Sequence, residues 1–125
     1  MTLAPHLRRG AEAEVTARTY LEARGLRTIT RNFRTPRGEL DLIMRDGETL
    51  VFVEVRYRAT RAFGLAQETV GHRKQSKLVT AAQYYLRTRP GDAGRPCRFD
   101  VVALHGSPAG DNRDDIEWLK NAFDS

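Results

Sequence analysis

The chain of 125 residues is 40% hydrophobic and 30% charged, which suits one domain over residues 1–125 and leaves no room for a second core. Its 21 lysines and arginines exceed its 16 acidic residues, and the net charge of +5 favours a polyanionic partner without proving one. The single cysteine, Cys97, excludes an intramolecular disulfide and a cysteine-rich zinc site, which favours a reducing compartment.

The first predicted element is a helix over residues 6–24, which lack an internal proline and stop at Gly25, a typical C-terminal signal. A helical wheel places one stripe towards the rest of the protein. The stripe contains Gly10, Glu14, Ala17 and Leu21, with Ala13 and Tyr20 at its edges. Glu14 is unusual because it is a carboxylate on a packing face. The alternative is a glutamate at the margin of the stripe, satisfied by an arginine.

Residues 26–34 alternate loosely and predict an amphipathic or edge strand, and Pro36 and Gly38 turn the chain into a hairpin over residues 38–58. The pair Asp46-Gly47 between two β-rich runs is a strong hairpin signal, so we place the turn at residues 45–48. A turn centred there pairs Asp41 with Phe52, Ile43 with Leu50 and Glu39 with Glu54.

Strand alternation assigns the hairpin side chains to two faces. One face holds Leu40, Leu42, Met44, Val51, Val53, Val55 and Tyr57, and the other holds Glu39, Asp41, Ile43, Leu50, Phe52, Glu54 and Arg56. Both faces are largely apolar, which is typical of a hairpin inside a covered sheet. Asp41 and Glu54 become diagonal neighbours, roughly 5 to 8 Å apart. Because two unneutralised carboxylates there are costly, either this end of the face opens to solvent or a cation lies between them.

After Tyr57 the chain is polar and basic up to residue 73, which predicts a loop or lid. A second helix is predicted over residues 73–87, with Lys74 and Gln75 one turn before its apolar stripe. The stripe contains Leu78, Ala81, Ala82 and Tyr85. Residues 89–96 are turn-forming, residues 98–104 read as a buried strand, and residues 116–123 supply a last strand or turn in which Trp118 docks on the core.

The histidines and the hydropathy pattern point away from a transition-metal site and from a membrane protein. His6, His72 and His105 show no ligand spacing and are expected at the surface. No apolar run approaches the roughly 20 residues that span a membrane, and the N-terminal residues lack an apolar signal-peptide stretch. We therefore expect a cytoplasmic protein with no membrane partner.

The predicted order is αβββαβ, an α/β fold with one mixed central sheet flanked by helices. This order brings together Glu14 on the first helix, Asp41 on the first hairpin strand and the run Glu54-Val55-Arg56 on the second. Carboxylates of this kind are the oxygen donors that Mg²⁺ or Mn²⁺ takes, and a neighbouring cationic side chain can face a phosphate.

The arrangement resembles the PD-(D/E)XK nuclease superfamily, and in particular the YraN-like uncharacterised bacterial family, which is similar to Holliday-junction resolvases. The matching segments are Gly10 to Leu21, "RNFRTPRGELDLI", "VFVEVRYR", "KQSKL", "RFDVV" and "NAF", in that order. They cover nearly the whole chain. The resemblance implies a restriction-endonuclease-like αβββαβ core. One departure from the family pattern, Ala13 in place of a glycine, is expected to change local packing only.

Carried over by position, the resemblance implies a Mg²⁺ or Mn²⁺ ion held by Asp41, Glu54, the carbonyl of Val55 and, directly or through water, Glu14. The implied catalytic residues are Asp41, Glu54, Arg56, Glu14 and Lys74. Arg56 occupies the place of the motif lysine and is a poor proton shuttle, because a guanidinium stays protonated near neutral pH. General-base work then falls to hydroxide generated at the metal or to Lys74. The alternative for Lys74 is an ordinary lysine lying along its helix.

The resemblance implies a metal-dependent endonuclease acting on branched or structured DNA. The expected backbone-binding residues are Arg56, Arg58, Arg61, Arg73, Lys74 and Lys77, and Phe63 is placed to wedge into a junction. A solvated basic face is the alternative. Two other functions stay open: binding of nucleic acid without cutting, and a protein-interaction scaffold whose acidic cluster is structural. Because resolving a junction needs two cuts, a homodimer is attractive.

Overall fold

The computed structural model describes residues 5–58, 71–105 and 115–123, with only the backbone of residues 5–9 and 58. Its elements are α1 Pro5–Ala23, β1 Arg27–Thr35, β2 Gly38–Asp46, β3 Thr49–Arg58, α2 His72–Thr88, β4 Cys97–His105 and β5 Asp115–Phe123. A short 3₁₀ turn, Pro90–Asp92, separates α2 from β4. The predicted helices and strands are therefore confirmed within one or two residues, and the tail forms a strand. Residues 59–70 of the loop predicted between Tyr57 and residue 73 lie outside the described residues, while its ends belong to β3 and α2.

The five strands form one mixed sheet in the order β1-β2-β3-β4-β5. Neighbouring strands are antiparallel except β3 and β4, which are parallel. Parallel neighbours need a crossover connection, and α2 lies in the chain between these two strands. This architecture confirms the predicted α/β class and is compatible with a restriction-endonuclease-like core.

The two helices pack against two different apolar layers. The α1 layer contains Ala13, Ala17, Leu21, Leu42, Met44, Val51, Val53, Val102 and Leu104. The α2 layer contains Leu40, Ile43, Leu50, Phe52, Leu78, Ala81, Ala82, Tyr85, Phe99 and Val101. The predicted α2 stripe is thus the buried stripe, and the hairpin is apolar on both faces because each face is covered by a helix. Neither described helix has the length and apolar composition to cross a membrane.

The hairpin turn lies one residue later than predicted. Asp46 pairs with Thr49, so the loop consists of Gly47 and Glu48. Gly47 has a φ of +60° at the first central position, where a type II′ turn places glycine. The prediction centred the turn on Asp46 and Gly47, whereas the backbone centres it on the two residues after Asp46.

This shift changes the partners of the two carboxylates. The ladder between β2 and β3 runs from the turn to the pair Leu42 and Val53. The predicted pairings of Asp41 with Phe52, Ile43 with Leu50 and Glu39 with Glu54 are therefore wrong. One step beyond Leu42 and Val53, the same register sets Asp41 opposite Glu54 rather than diagonal to it.

Leu40 lies on the opposite face from the one predicted. It packs with Ile43 in the α2 layer, whereas Leu42 packs in the α1 layer. Residues two apart in a regular strand share a face, so the alternation is interrupted at Asp41. On the neighbouring strand, Asn32 lies between the partners of Leu42 and Leu40 and has a φ of +53°. Both strands are thus irregular at the same point, as strands often are beside functional sites.

The prediction that the histidines lie at the surface is wrong for His105. It is only 2% exposed, at the end of β4, between β3 and β5. Its Nε2 lies 3.5 Å from Oε1 of Glu117 on β5, the strand that covers this side of β4. His72 is exposed as predicted, and the side chain of His6 lies outside the described residues.

Trp118 docks on the core as predicted. Its ring meets Tyr20 of α1 edge-on, with 6.4 Å between the ring centroids. Its Nε1 donates a hydrogen bond of 3.0 Å to the buried carboxylate of Asp100. The predicted strand at the end of the chain is therefore held to the rest of the sheet by both an aromatic contact and a buried acceptor.

Candidate active site

Asp41 and Glu54 form the centre of the site, and we call them the acid pair. Asp41 is half-buried near the start of β2, and Glu54 is 5% exposed in the middle of β3. The ladder has ended here, and Oδ2 of Asp41 accepts a hydrogen bond of 2.8 Å from the backbone N–H of Val55. The two carboxyl groups are also hydrogen-bonded to each other. The interruption of β2 therefore aims one carboxyl group at the other.

Burial and mutual repulsion make the acid pair hold a proton more tightly than isolated carboxyl groups do. Burial, followed by the charge of Asp41, raises the pKa of Glu54 to about 7, although Lys74 and Arg56 act in the opposite direction. Burial also raises the pKa of Asp41, against the lowering effects of the Val55 N–H, Glu54 and Lys74. Near neutral pH the pair therefore shares a proton, with Glu54 as the donor.

Two cationic side chains converge on Glu54. Nζ of Lys74, in the first turn of α2, lies 3.4 Å from Oε1 of Glu54. Nε of Arg56, on β3, lies 3.5 Å from the same oxygen. The side chains of Lys74 and Arg56 are 40% and 32% exposed, respectively, whereas that of Glu54 is 6% exposed. The site is thus a buried acid pair with positive charge at its mouth. Lys74 reaches the carboxylates from α2, as one of the two alternatives for this residue predicted.

Glu14 lies near the acid pair but outside its direct contacts. It is half-buried on α1, and its Oε1 accepts a hydrogen bond of 3.3 Å from Nδ2 of Asn32. Burial raises the pKa of Glu14, and the charge of Asp41 raises it further, while Arg31 and Arg18 lower it. The structure therefore brings Glu14 within electrostatic range of Asp41 and attaches it to the irregular residue of β1.

The donor set of the acid pair fits a hard divalent cation. Mg²⁺ commonly takes one or two carboxylates and completes its shell with water and substrate phosphate. Two facing carboxyl groups that share a proton present that pair of donors. At Val55 the group bonded to Asp41 is the backbone N–H, which cannot ligate a cation, rather than the carbonyl that was predicted as a ligand. Within residues 5–58, 71–105 and 115–123, no three Asp, Glu, His or Cys side chains converge closely enough to form a larger metal-binding group. Glu14 therefore fits an outer position better than a direct one.

The sequence model of the uncharacterised protein family UPF0102 matches residues 13–104. The chain belongs to this family. The residues matched by the UPF0102 model include both members of the acid pair and, in addition, Lys74 and Arg56. It also confirms the predicted membership of the YraN-like family, whose description carries no activity.

Several UPF0102 proteins align with nearly the whole chain. One from Pseudomonas syringae pv. syringae is 53% identical over 116 residues, covering 93% of each protein. One from Pseudomonas putida strain GB-1 is 48% identical over 124 residues and covers 99% of each. One from Nitrosococcus oceani is 47% identical over 123 residues, covering 98% of this chain and 97% of the relative.

The other predicted nucleic-acid contacts of this UPF0102 chain are only partly described. Arg73 and Lys77 are exposed on α2, on either side of Lys74 in the sequence. Arg58 ends β3, but its side chain lies outside the described residues, as do Arg61 and Phe63 altogether. The described basic residues of α2 at this place are Arg73, Lys74 and Lys77, and we call them the α2 patch. The patch extends from the mouth of the acid pair along the first turns of α2.

The sequence analysis missed Asn32 and Asp100. Asn32 carries the left-handed backbone beside Asp41, and the available signal was that asparagine adopts positive φ more readily than most residues. Asp100 is fully buried in β4, where it accepts hydrogen bonds from Arg98, Trp118 and the backbone of Asn121. The signal was an aspartate inside an apolar strand run, which requires buried donors.

Proposed function

We propose that this chain is a Mg²⁺- or Mn²⁺-dependent endonuclease of the PD-(D/E)XK superfamily, which hydrolyses phosphodiester bonds in branched or structured DNA. The observation that carries the proposal is the acid pair itself. Asp41 and Glu54 are hydrogen-bonded to each other in a buried part of the sheet, and Lys74 and Arg56 lie against the same oxygen of Glu54. Carboxylates and cations in this order suit a divalent ion next to a phosphate.

Each residue of the site has a role that follows from its contacts. Asp41 and Glu54 hold the cation, which supplies an activated water and a counter-charge for the phosphate when it is bound. Lys74 and Arg56 are partly exposed at the mouth of the pair, where they bind and orient the phosphate. Arg56 acts through charge and the planar hydrogen-bonding geometry of its guanidinium, whereas Lys74 presents a compact amine beside Glu54. Glu14 and Asn32 support Asp41 from α1 and β1.

A second candidate is a protein that binds branched DNA on the same surface without cutting it. Arg56 favours this candidate, because it stands where the nuclease motif has a lysine. Arg56 and Lys74 also both form ion pairs with Glu54, at 3.5 Å and 3.4 Å. A third candidate, a protein-interaction scaffold with a structural acidic cluster, needs no metal at all.

The experiment is a cleavage assay on labelled four-way junction, flap, nicked and linear DNA with Mg²⁺ or Mn²⁺. The wild type is compared with Glu54→Gln and with the control Glu39→Gln, which changes an exposed carboxylate of the same hairpin. We expect cleavage by the wild type and the control and none by Glu54→Gln. Equal cleavage by all three would indicate a contaminating nuclease.

Calorimetry separates the other candidates. We expect Mn²⁺ to bind the wild type and not Asp41→Asn. Metal binding and DNA binding without cleavage would select the second candidate. Absence of metal binding by the wild type would select the scaffold and remove the catalytic assignment of the acid pair.

A further inference from the structure

The positive charge of the chain is concentrated in one short segment. Residues 24–37, "RGLRTITRNFRTPR", contain five arginines and no acidic residue, and the formal net charge of the whole chain is also +5. The other 16 basic residues are therefore balanced by the 16 acidic ones. We call this set the β1 arginine row; it consists of Arg24, Arg27, Arg31, Arg34 and Arg37.

The row lies on an edge of the sheet. β1 is the first strand in the sheet order and has a neighbour, β2, on one side only. All five arginines are exposed. Arg34 pairs with Glu39 at 3.5 Å, but both side chains are more than half exposed, and such pairs contribute little stability. This contact therefore does not prevent Arg34 from binding a solvent-borne anion.

The row lies beside the acid pair and next to the α2 patch. Arg31 is paired with Leu42, the neighbour of Asp41, and its charge lowers the pKa of Glu14. At the other end of the row, Arg37 precedes Gly38, which lies against the backbone of Lys77 on α2. A phosphate at the acid pair thus has Lys74 and Arg56 next to Glu54 and the row one strand away from Asp41.

The row is long enough to follow a double-stranded arm. β1 spans Arg27–Thr35, and Arg37 lies in the two-residue turn that joins it to β2. At about 3.3 Å per residue, Arg27, Arg31 and Arg34 extend over about 23 Å of strand, which at about 3.4 Å per base step is the length of roughly seven base pairs. The row also contains only arginine, whose guanidinium matches two phosphate oxygens at once.

We propose that the β1 arginine row binds the sugar–phosphate backbone of a duplex arm, while the neighbouring α2 patch holds another arm at the acid pair. The substrate class is therefore DNA with at least two duplex arms that meet at the site. The position of the junction relative to the acid pair rests on the proposed function, whereas binding by the row does not depend on cleavage. An alternative role for charge on an edge strand is to prevent edge-to-edge association.

The test measures DNA binding without divalent metal, so that loss of catalysis cannot imitate its failure. The row variant Arg27→Gln/Arg34→Gln is compared with the control Arg87→Gln/Arg89→Gln, which removes the same charge from the exposed far end of α2. Fluorescence anisotropy is recorded for a labelled four-way junction and for a linear duplex of one arm's sequence, over a range of salt concentrations.

We expect the row variant to bind the junction at least tenfold more weakly than the wild type and to lose most of the preference for junction over linear duplex. The slope of log K against log salt becomes shallower by about two, since each lost phosphate contact removes about 0.9. The control retains the wild-type preference. The variant Arg27→Lys/Arg34→Lys keeps the charge and recovers part of the affinity.

Equal weakening by both double variants would overturn the proposal, because net charge alone would then account for binding. Unchanged junction binding by the row variant would overturn it as well. If that variant also self-associates in sedimentation velocity, the charge of the row serves to prevent edge-to-edge association of the sheet. If DNA binding by the wild type depends on the row but the protein never cleaves DNA, this proposal stands and the proposed nuclease activity is rejected.

Discussion

Glu54 is the residue at which burial and charge oppose each other most strongly. Its carboxyl group is buried and lies against Asp41, which raises its pKa from an ordinary 4.5 to about 7. An acid whose pKa is higher in the folded than in the unfolded chain favours folding while it is protonated. Its contribution is complete below the unfolded pKa and is lost as pH rises through the folded pKa.

We therefore predict that the metal-free protein loses stability between about pH 4.5 and about pH 7, by up to about 3 kcal/mol from this group. Glu54→Gln carries a permanently neutral side chain that can still donate to Asp41, so its stability lacks this fall. Urea unfolding in chelator at about pH 5 and about pH 8, wild type against variant, measures the difference. Parallel pH dependences in the two proteins would contradict the prediction.

Lys74 acts on the same carboxyl group from α2. Its amine lies 3.4 Å from Glu54 and lowers the pKa of that residue. We predict that Lys74→Met raises the pKa of Glu54 further, because the opposing charge is removed while burial is kept. Carboxyl ¹³C NMR titration measures this directly. Lys77→Met, one turn along at an exposed position, is the control and leaves the Glu54 titration unchanged.

At the scale of the elements, α2 places Lys74, and Gly38 lets α2 lie close to the sheet. A Cβ atom at Gly38, the first residue of β2, would come within 2.9 Å of the backbone carbonyl oxygen of Lys77. A helix backbone cannot yield locally, so any side chain at this position moves the helix or the strand.

We predict that Gly38→Ala destabilises the fold by about 1 to 3 kcal/mol, a typical cost of overpacking. Gly10→Ala is the matched control: Gly10 lies inside α1 with open space around its Cα, and alanine is the better helix former. The control is expected to be neutral or more stable by up to about 1 kcal/mol. Denaturant unfolding of both variants gives the sign, and equal destabilisation would refute the close-packing argument.

The elements were predictable because their signals are local. Helix α1 stops where Gly25 takes a φ of +99°, and the α2 stripe repeats at helical spacing from Leu78 to Tyr85. Strand β5 was only half predicted, since its strand character depends on pairing with β4 and on the bulge at Asn121, which no local pattern specifies. The turn was displaced by one residue because Asp-Gly allows more than one loop around the same glycine.

At the scale of the whole molecule, the site was predicted as a set of residues but not as a set of contacts. The fold brings Asp41, Glu54, Arg56 and Lys74 together as expected. The expected diagonal separation of the carboxylates rested on a turn centred one residue earlier, and the observed register sets them opposite each other. The predicted face of Leu40 was wrong as well, because the paired irregularities at Asp41 and Asn32 interrupt the alternation. Irregularities of this kind depend on three-dimensional neighbours such as Glu14, which lie far apart in the sequence.

Three kinds of positive charge compete for the acid pair: a proton, the side chains of Lys74 and Arg56, and the proposed divalent cation. Since Glu54 has a pKa of about 7, a cation must displace a proton below that pH and binds with less competition above it. Proton sharing, salt bridges and metal binding are therefore alternative ways of neutralising one buried pair of carboxylates in a single sheet.

We accordingly predict that Mn²⁺ at about 100 times its dissociation constant stabilises the wild type by about 2.7 kcal/mol, which raises the melting temperature by roughly 10 °C. At a fixed Mn²⁺ concentration the effect grows between about pH 6 and about pH 8, because the proton leaves Glu54 in that interval and the dissociation constant falls. Thermal unfolding with and without Mn²⁺ measures it, and Asp41→Asn serves as the control that retains the rest of the charged surface. An equal shift in Asp41→Asn would place the ion on exposed carboxylates elsewhere. A shift in the wild type alone, increasing with pH, links the metal to the two side chains that the interrupted strand turns towards each other.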